Sequence, residues 1–381
     1  MARLGDLIEQ IRGVSYKPED VCADLTDESV ALLRANNIKD GHLDFQDVIY
    51  VNKKRVKANQ YLRSGDILVC TSSGSKDLVG KAAYVGTDLP MVFGAFCKVV
   101  RPTIAFPKYL GHFFDSPYYR KVISYASAGA NINNIRNEHI DEINIPLPTM
   151  EAQQHIISVL DTINSLIFLR KQQLIKLNEL VKACFIEWFI GKGYPTKMVD
   201  AVSLSKGEYG AQSASVDYDP DRPRYVRITD INDDGTLNDD MVVSINPADD
   251  EQYRLSYGDF MFARMGATVG KTYAFIEGNQ IFAGYLIRYK LNQELINPRY
   301  LFWYTKLNEY WNWVKFNQSG AAQPGINAKK FGSLRIPVPP IAEQNVFAAF
   351  VEQTDKSKLT IRQGLDKLEL LKKALMQKYF G

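Results

Sequence analysis

The stretch Gly266-Ala267-Thr268-Val269-Gly270-Lys271-Thr272 has the residue types of a phosphate-binding loop. Its glycines would bring backbone N–H groups onto a phosphate, its lysine would add charge and its threonine would hold magnesium. The spacing is wrong for that chemistry. Such a loop needs four residues between its glycines to wrap the phosphates, and here there are three. The related stretch at residues 74–81 has five, and no Ser or Thr follows its lysine. Both read as tight turns between strands. Asp217, Asp219 and Asp221 alternate like the carboxylates of a calcium loop, but Pro220 and Pro223 interrupt them. Arg222 also stands where the sixth loop position requires glycine. His42, His112, His139 and His155 form no H-x-x-x-H or H-E-x-x-H pair, and Cys22, Cys70, Cys97 and Cys184 form no C-x-x-C pair. No zinc site or disulfide framework is expected. The chain also lacks an Asn/Asp-Pro-Pro-Tyr/Phe tetrapeptide and a glycine-rich Rossmann opening, so it is expected to catalyse nothing itself and to need no cofactor or metal.

Composition leaves nucleic-acid binding undecided, but residue types that would suit it stand together locally. Phosphate contacts call for Lys and Arg, whereas base edges call for Arg, Asn, Gln and Ser at loop tips. The first half offers a basic knot of Lys53, Lys54, Arg55 and Lys57. It also offers a loop with Ser72, Ser73, Ser75 and Lys76, and a second with Asn131, Asn133, Asn134 and Arg136. The second half offers Arg264 and Thr268, then Gln318, Gln323 and Asn327, then Lys329, Lys330 and Arg335. Solvated loops and ordinary turns account for these residues about as well. Arg34 and Arg227 lie beside strand-like segments, where a structural ion pair is at least as reasonable as a phosphate contact. Bulk charge decides nothing: 46 Lys and Arg against 43 Asp and Glu leave +3, and residues 230–251 are distinctly acidic.

The elements that position these residues occur twice. The chain repeats itself at an offset of roughly 190 residues, too long for a solenoid unit, so each copy is a domain. Leu33-Arg34 through Ile38 answers Val226-Arg227 through Ile231, and Leu62-Arg63-Ser64-Gly65-Asp66 answers Leu255-Ser256-Tyr257-Gly258-Asp259. Pro107-Lys108-Tyr109-Leu110 answers Pro298-Arg299-Tyr300-Leu301. Ile145-Pro146-Leu147-Pro148 answers Ile336-Pro337-Val338-Pro339, each followed by a glutamine, Gln153 or Gln344. Short apolar runs bounded by Gly, Asp and Pro predict strands at 66–71, 82–85 and 95–100, with counterparts at 259–264, 272–276 and 285–291. A helix is expected over 109–126 and again over 300–316.

A long amphipathic helix follows each Ile-Pro-x-Pro. The first has a 4-3 seam of Ile156, Leu160, Ile163, Ile167, Leu174, Leu177, Val181, Cys184 and Trp188, which Arg170 alone breaks. The second has Phe347, Val351, Thr354, Ile361, Leu365, Leu368, Leu375 and Tyr379, with Lys358 and Lys372 breaking the line. A helix over 156–190 is ~52 Å long at ~1.5 Å per residue. Two such helices bury their seams most simply by pairing antiparallel. No apolar run approaches the ~18 residues of a membrane span, and residues 1–10 lack a signal-peptide core. A cytoplasmic location is expected.

The alternation of α/β domain, Ile-Pro-x-Pro, glutamine and long helix, met twice, resembles the specificity subunits of Type I restriction–modification systems. The carrying stretches are Ile145-Pro146-Leu147-Pro148 with Gln153 and Gln154 and the helix running to Glu187-Trp188-Phe189, then Ile336-Pro337-Val338-Pro339 with Gln344 and the helix running to Tyr379-Phe380. The likeness covers the whole chain. It implies an α+β fold: two pseudo-symmetric α/β target recognition domains, at 1–148 and 193–339, joined by two long antiparallel coiled-coil helices. A central spacer helix would occupy 149–192 and a C-terminal one 340–381. The resemblance further implies a non-catalytic subunit that recognises a bipartite, asymmetric target in double-stranded DNA. Two DNA methyltransferase subunits, and restriction subunits in the full complex, would act at that target, and Lys358 and Lys372 would face the other helix, solvent or these docked subunits. The rival class is a coiled-coil scaffold with protein-binding domains, which predicts no salt-dependent DNA affinity.

Overall fold

The computed structural model describes the chain except residues 76–77, 127–132, 246–250 and 320–323. The α-helices among the described residues are α1 (Pro107–Phe114), α2 (Pro117–Ala126), α3 (Asn137–Asp141), α4 (Met150–Phe189), α5 (Pro298–Tyr304), α6 (Asn308–Asn317), α7 (Ala328–Gly332) and α8 (Ile341–Phe380). The chain divides into two compact units. Unit 1 is Met1–Lys171 with Gln363–Gly381, and unit 2 is Gln172–Arg362. Each unit holds one α/β body together with the start of one long helix and the end of the other.

Unit 1 is built in layers around the strand Ile67–Cys70, all four residues of which are buried. Successive side chains of a strand point to opposite faces. Ile67 and Val69 meet Tyr109, Leu110 and Phe113 of α1, while Leu68 and Cys70 meet Leu33, Phe93 and Val85. The first sheet runs Ala82–Tyr84, Ile67–Cys70, Cys97–Pro102, Ile8–Arg12. The second runs Met91–Phe93, Ser29–Leu33, Ile49–Asn52, Val21–Cys22. Unit 2 repeats the plan with larger side chains. Phe260 and Phe262 of the strand Asp259–Ala263 face α5 and α6, and Met261 and Ala263 face Val226, Phe282 and Leu286.

The repeated motifs mark the joints of this plan. Gly65 and Gly258 have φ of +91° and +95°, values open chiefly to glycine. The aspartate after each accepts the N–H three residues back, Arg63 N to Asp66 Oδ2 at 2.8 Å and Ser256 N to Asp259 Oδ2 at 3.0 Å. The Pro-x-Tyr hydroxyls donate to the proline carbonyls of the Ile-Pro-x-Pro stops, Tyr109 to Pro146 at 2.8 Å and Tyr300 to Pro337 at 3.0 Å. The buried glutamines close the joint. Gln153 accepts from Phe106 N (3.2 Å) and donates to Pro148 O (2.9 Å). Gln344 accepts from Asn297 N (2.9 Å) and donates to Pro339 O (2.7 Å).

The single helices expected over 109–126 and 300–316 need correction. The helix expected over 109–126 is two helices, because Pro117 removes a backbone donor and disfavours helical backbone before it. In the second copy no proline intervenes. Instead the Thr305 hydroxyl is held by Phe302 O (2.7 Å) and Thr272 Oγ1 (2.7 Å), and α5 stops there. The first long helix starts at Met150, six residues before the first seam residue Ile156, and Ala152 N donates there to the Thr149 hydroxyl (3.3 Å).

Along the long helices Ile156, Leu160 and Ile163 are buried in unit 1, and Val181, Phe347, Val351 and Thr354 in unit 2. Ile167, Leu174, Leu177, Ile361, Leu365, Leu368 and Leu375 are half-buried. Near the C-terminal ends the buried line leaves the 4-3 spacing. Phe185 and Phe189 are buried where Cys184 and Trp188 were expected, and Met376 and Phe380 where Leu375 and Tyr379 were. A straight helix drifts ~20° per heptad from a 3.5-residue repeat, so a seam read by strict heptads ends one residue off the core. Lys358 reaches Asp355 Oδ1 (3.1 Å) beside the Trp303 ring, and Lys372 reaches Asp115 Oδ2 (2.8 Å).

Candidate nucleic-acid interface

At one end of the first sheet of unit 1, three segments converge. The strand Ile67–Cys70 runs on through Thr71 into Ser72–Ser73, which pairs with Asn133–Asn134 in the register Asn133↔Ser73 and Asn134↔Ser72. Ile135 N donates to Thr71 O at 2.8 Å. The turn Gly94 to Cys97 closes over the same place, its Phe96 carbonyl accepting from Thr71 N (2.9 Å) and Ser72 N (3.1 Å). Two loops expected to read bases are therefore joined by backbone pairing. Their side chains stand at the rim: Ser72 and Ser73 are half-buried, Asn134 and Arg136 exposed.

Unit 2 builds the same corner with other residues. Arg264 takes the place of Thr71, with Ile326 N donating to its carbonyl (2.9 Å) and its own N–H donating to Tyr285 O (3.0 Å). Met265 bridges to Gly325, and Gly325 to Ser319. The Arg264 guanidinium lies over the Tyr209 ring at 4.8 Å, a cation–π contact that fixes its direction. The Tyr209 hydroxyl in turn accepts from Ala328 N at 3.2 Å. Asn327 caps α7 through Lys330 N (2.9 Å), and Lys330 Nζ donates to Asn317 O (2.8 Å). Gln318 and Lys329 are exposed, and the Thr268 hydroxyl donates to Met265 O (3.2 Å). Lys76, Asn131 and Gln323 lie outside the described residues, as does the side chain of Asn133.

The basic knot belongs elsewhere. The parallel register Met91↔Ala31 to Phe93↔Leu33 sets the turn after Phe93 at the Leu33 end of the second sheet. Lys53 starts at the other end, where Ser29 pairs with Asn52. Half of the knot is already committed: Arg55 pairs with Asp20 (2.8 Å) and Lys53 Nζ donates to Asp27 O (2.8 Å). Arg55 holds the Asp20 carboxyl below its usual pKa. Lys54 and Lys57 have no ion-pair partner among the described residues. Arg34 and Arg227 are in structural ion pairs, with Asp47 (2.9 Å) and Asp230 (2.8 Å).

Sequence reading missed Arg12 and Tyr209. The register Lys98↔Arg12 in unit 1 and Ile287↔Tyr209 in unit 2 places them at equivalent positions beside the loop corner. Each unit therefore sets one arginine at this level: Arg12 in the first, and Arg264, stacked on Tyr209, in the second. Arg12 is exposed, with no partner for its guanidinium among the described residues. The only sequence signal was the glycine after each, Gly13 and Gly210, displaced from the repeat's main offset by the longer loops of the second copy.

The acidic stretch of unit 2 is largely neutralised within that unit. Asp233 meets Lys271 (2.8 Å), Asp234 meets Arg362 (3.0 Å) and Asp239 meets Arg224 (2.7 Å). Lys306 donates to Asp233 O (2.7 Å) with its ammonium 4.2 Å from the Phe302 ring centre. Burial there pushes its pKa down to about 8, against the pull of Asp234 and Asp233. Between that value and the ordinary lysine value the folded chain binds fewer protons than the unfolded one, so this group makes unit 2 more stable as pH rises through the window. The acetylation rate of Lys306, followed by mass spectrometry against pH, should show a midpoint near 8. A midpoint at the ordinary lysine value would remove burial as the cause.

Comparison with known proteins supplies the remaining facts. Residues 1–179 and 206–370 match the model of the Type I restriction modification DNA specificity domain. The chain is 28% identical over 397 residues to the Type I restriction enzyme StySPI specificity subunit of Salmonella potsdam, covering 97% of this chain and 86% of that protein. It is 29% identical over 403 residues to the EcoKI specificity subunit of Escherichia coli K12, with the same coverage. Its fold is like that of the S subunit of a Type I restriction–modification system from M. genitalium, at TM-score 0.57 and 12% identity, covering 100% of this chain and 95% of that one. A chain from a structural study of complex assembly and conformational transition in the type I R-M system matches at TM-score 0.58 and 16% identity, covering 99% and 96%.

Proposed function

Because this chain belongs to the family of Type I restriction modification DNA specificity domains, we propose that it directs partner subunits to a bipartite, asymmetric target in double-stranded DNA. It is the non-catalytic, DNA-recognising member of such a system. Unit 1 reads one half-site through Arg12, Ser72, Ser73, Asn134 and Arg136. Unit 2 reads the other through Arg264, Gln318 and Asn327. Lys329 in unit 2, and Lys54 and Lys57 in unit 1, serve phosphates, which set affinity and register rather than sequence. The observation that carries this reading is one loop corner built twice on the same backbone plan with different side chains. Equivalent scaffolds with unequal readers suit two different half-sites and make the target asymmetric.

The globular bodies at 1–148 and 193–339 are the readers on this proposal, and the helices at 149–192 and 340–381 hold them at a set spacing. The partners are two DNA methyltransferase subunits, joined by restriction subunits in the full nuclease. The complex works in the cytoplasm; no described helix of this chain is long and apolar enough to cross a membrane.

Single-molecule sequencing of adenine methylation tests the proposal in cells that carry this chain with its methyltransferase. Deleting this chain alone should erase methylation at one motif of two unequal halves. An unchanged methylome, with the methyltransferase active, would overturn the proposal in favour of a protein scaffold.

A further inference from the structure

At the tip of each loop corner, a four-residue turn carries an aromatic ring that the core does not use. In unit 1 the turn closes through Cys97 N donating to Gly94 O, and in unit 2 through Leu286 N donating to Ala283 O, both at 2.8 Å. The third position holds Phe96 in one and Tyr285 in the other, 71% and 54% exposed. Single exposed aromatics are ordinary on protein surfaces. Three features set these apart.

They are structural equivalents. The residue after each pairs with the last residue of the central strand, Cys97↔Cys70 and Leu286↔Ala263. They are also anchored to the readers, because their carbonyls accept the N–H groups of Thr71 and Ser72 in unit 1 and of Arg264 in unit 2. Finally, the chain beside each turn packs directly against its backbone. A Cβ on Gly13 would lie 2.1 Å from Gly94 O, and one on Gly210 would lie 2.4 Å from Ala283 O. The helix that leads into the same corner carries a second repeated pair, Tyr125 near the end of α2 and Phe316 near the end of α6, 74% and 88% exposed.

We propose that Phe96 and Tyr285 are base-contacting residues, one in each half-site, whose rings lie against base edges beside the polar readers of their own unit. This rests on the DNA-reading proposal above. Hydroxyl, amide and guanidinium groups distinguish donors from acceptors in the major groove. The thymine methyl is the feature they read poorly and an apolar side chain reads well. A ring on a turn already fixed by hydrogen bonds also loses little freedom on binding.

The test uses the assembled complex with its methyltransferase subunits and a duplex bearing the methylated motif. Affinity is measured for that duplex and for single-base variants at every position of both half-sites. Phe96→Ala should weaken binding by about tenfold and flatten the preference at one or two positions of a single half-site. Tyr285→Ala should do the same in the other half-site only, and Phe96→Tyr and Tyr285→Phe should retain wild-type discrimination. Melting midpoints should stay within a degree or two, since neither ring is buried. If both alanine variants keep the wild-type preference at every position, or weaken all duplexes equally, the rings are not base contacts, while the DNA-reading proposal stands. If the wild-type complex shows no base preference at all, the DNA-reading proposal falls and this one with it.

Discussion

Replacing Arg288 by Met should destabilise unit 2 by about 3–5 kcal/mol, the range for breaking a buried ion pair from one side. Arg288 is 3% exposed and fully engaged. Its Nε and Nη2 bond Glu208, its Nη1 reaches Asp259 Oδ2 (3.4 Å) and Arg254 O (2.8 Å), and Nη2 also donates to Gln252 O (3.0 Å). The guanidinium stacks 4.7 Å over the Phe282 ring. Methionine fills the volume but leaves Asp259 buried without its cation. Burial already raises the pKa of that carboxyl, and losing the cation raises it further. A raised carboxyl pKa means that the folded state binds more protons than the unfolded one, so stability falls as pH rises through it. The defect should therefore shrink as pH is lowered.

Urea denaturation followed by tryptophan fluorescence measures this effect cleanly, because all four tryptophans, Trp188, Trp303, Trp311 and Trp313, belong to unit 2. Glu208 adjoins Tyr209, on which Arg264 stacks, so the half-site assigned to unit 2 should lose its discrimination before the other does. A loss under about 1 kcal/mol, or one insensitive to pH, would mean that the guanidinium is not what holds this sheet together.

Arg288 also illustrates what a sequence can and cannot declare. The turn glycines, the Gly-Asp pairs, the Pro-x-Tyr starts and the Ile-Pro-x-Pro stops were legible because each satisfies a local backbone need at a constant spacing. Their reason was not: nothing in the sequence says that Tyr109 bonds Pro146 or that Gln344 ties Asn297 to Pro339. The partner of the Gly-Asp carboxylate even changes between copies. Asp66 takes Arg101, whereas Asp259 takes Arg288 from an inequivalent strand position. The candidate site was half legible for a related reason. Loop composition pointed to Ser72, Asn134 and Arg264, but the corner that unites them is made by strand register, which brought in Arg12 and Tyr209 and left the Lys53–Arg55 knot at the far end of the second sheet.

Removing one heptad from each long helix, residues 174–180 of α4 and 361–367 of α8, should change the methylated motif in its unread spacer alone. Between Ile163 and Val181 no residue of α4 is fully buried, and between Lys358 and Met376 none of α8 is. These stretches contribute little to either core, and a seven-residue deletion keeps the half-buried seam in phase. At ~1.5 Å per residue the loss is ~10 Å of helix, equivalent to about three base pairs at ~3.4 Å each. Methylome sequencing of the double deletion should show both half-sites intact and the old spacing abandoned, with a spacing about three base pairs shorter in its place. Shortening α4 alone should put the two seams out of step and cost methylation at both spacings. If the bases of either half-site changed, the helices would be shaping the readers as well as separating them. If the spacing stayed the same, the length of DNA between half-sites would be set by something other than these helices.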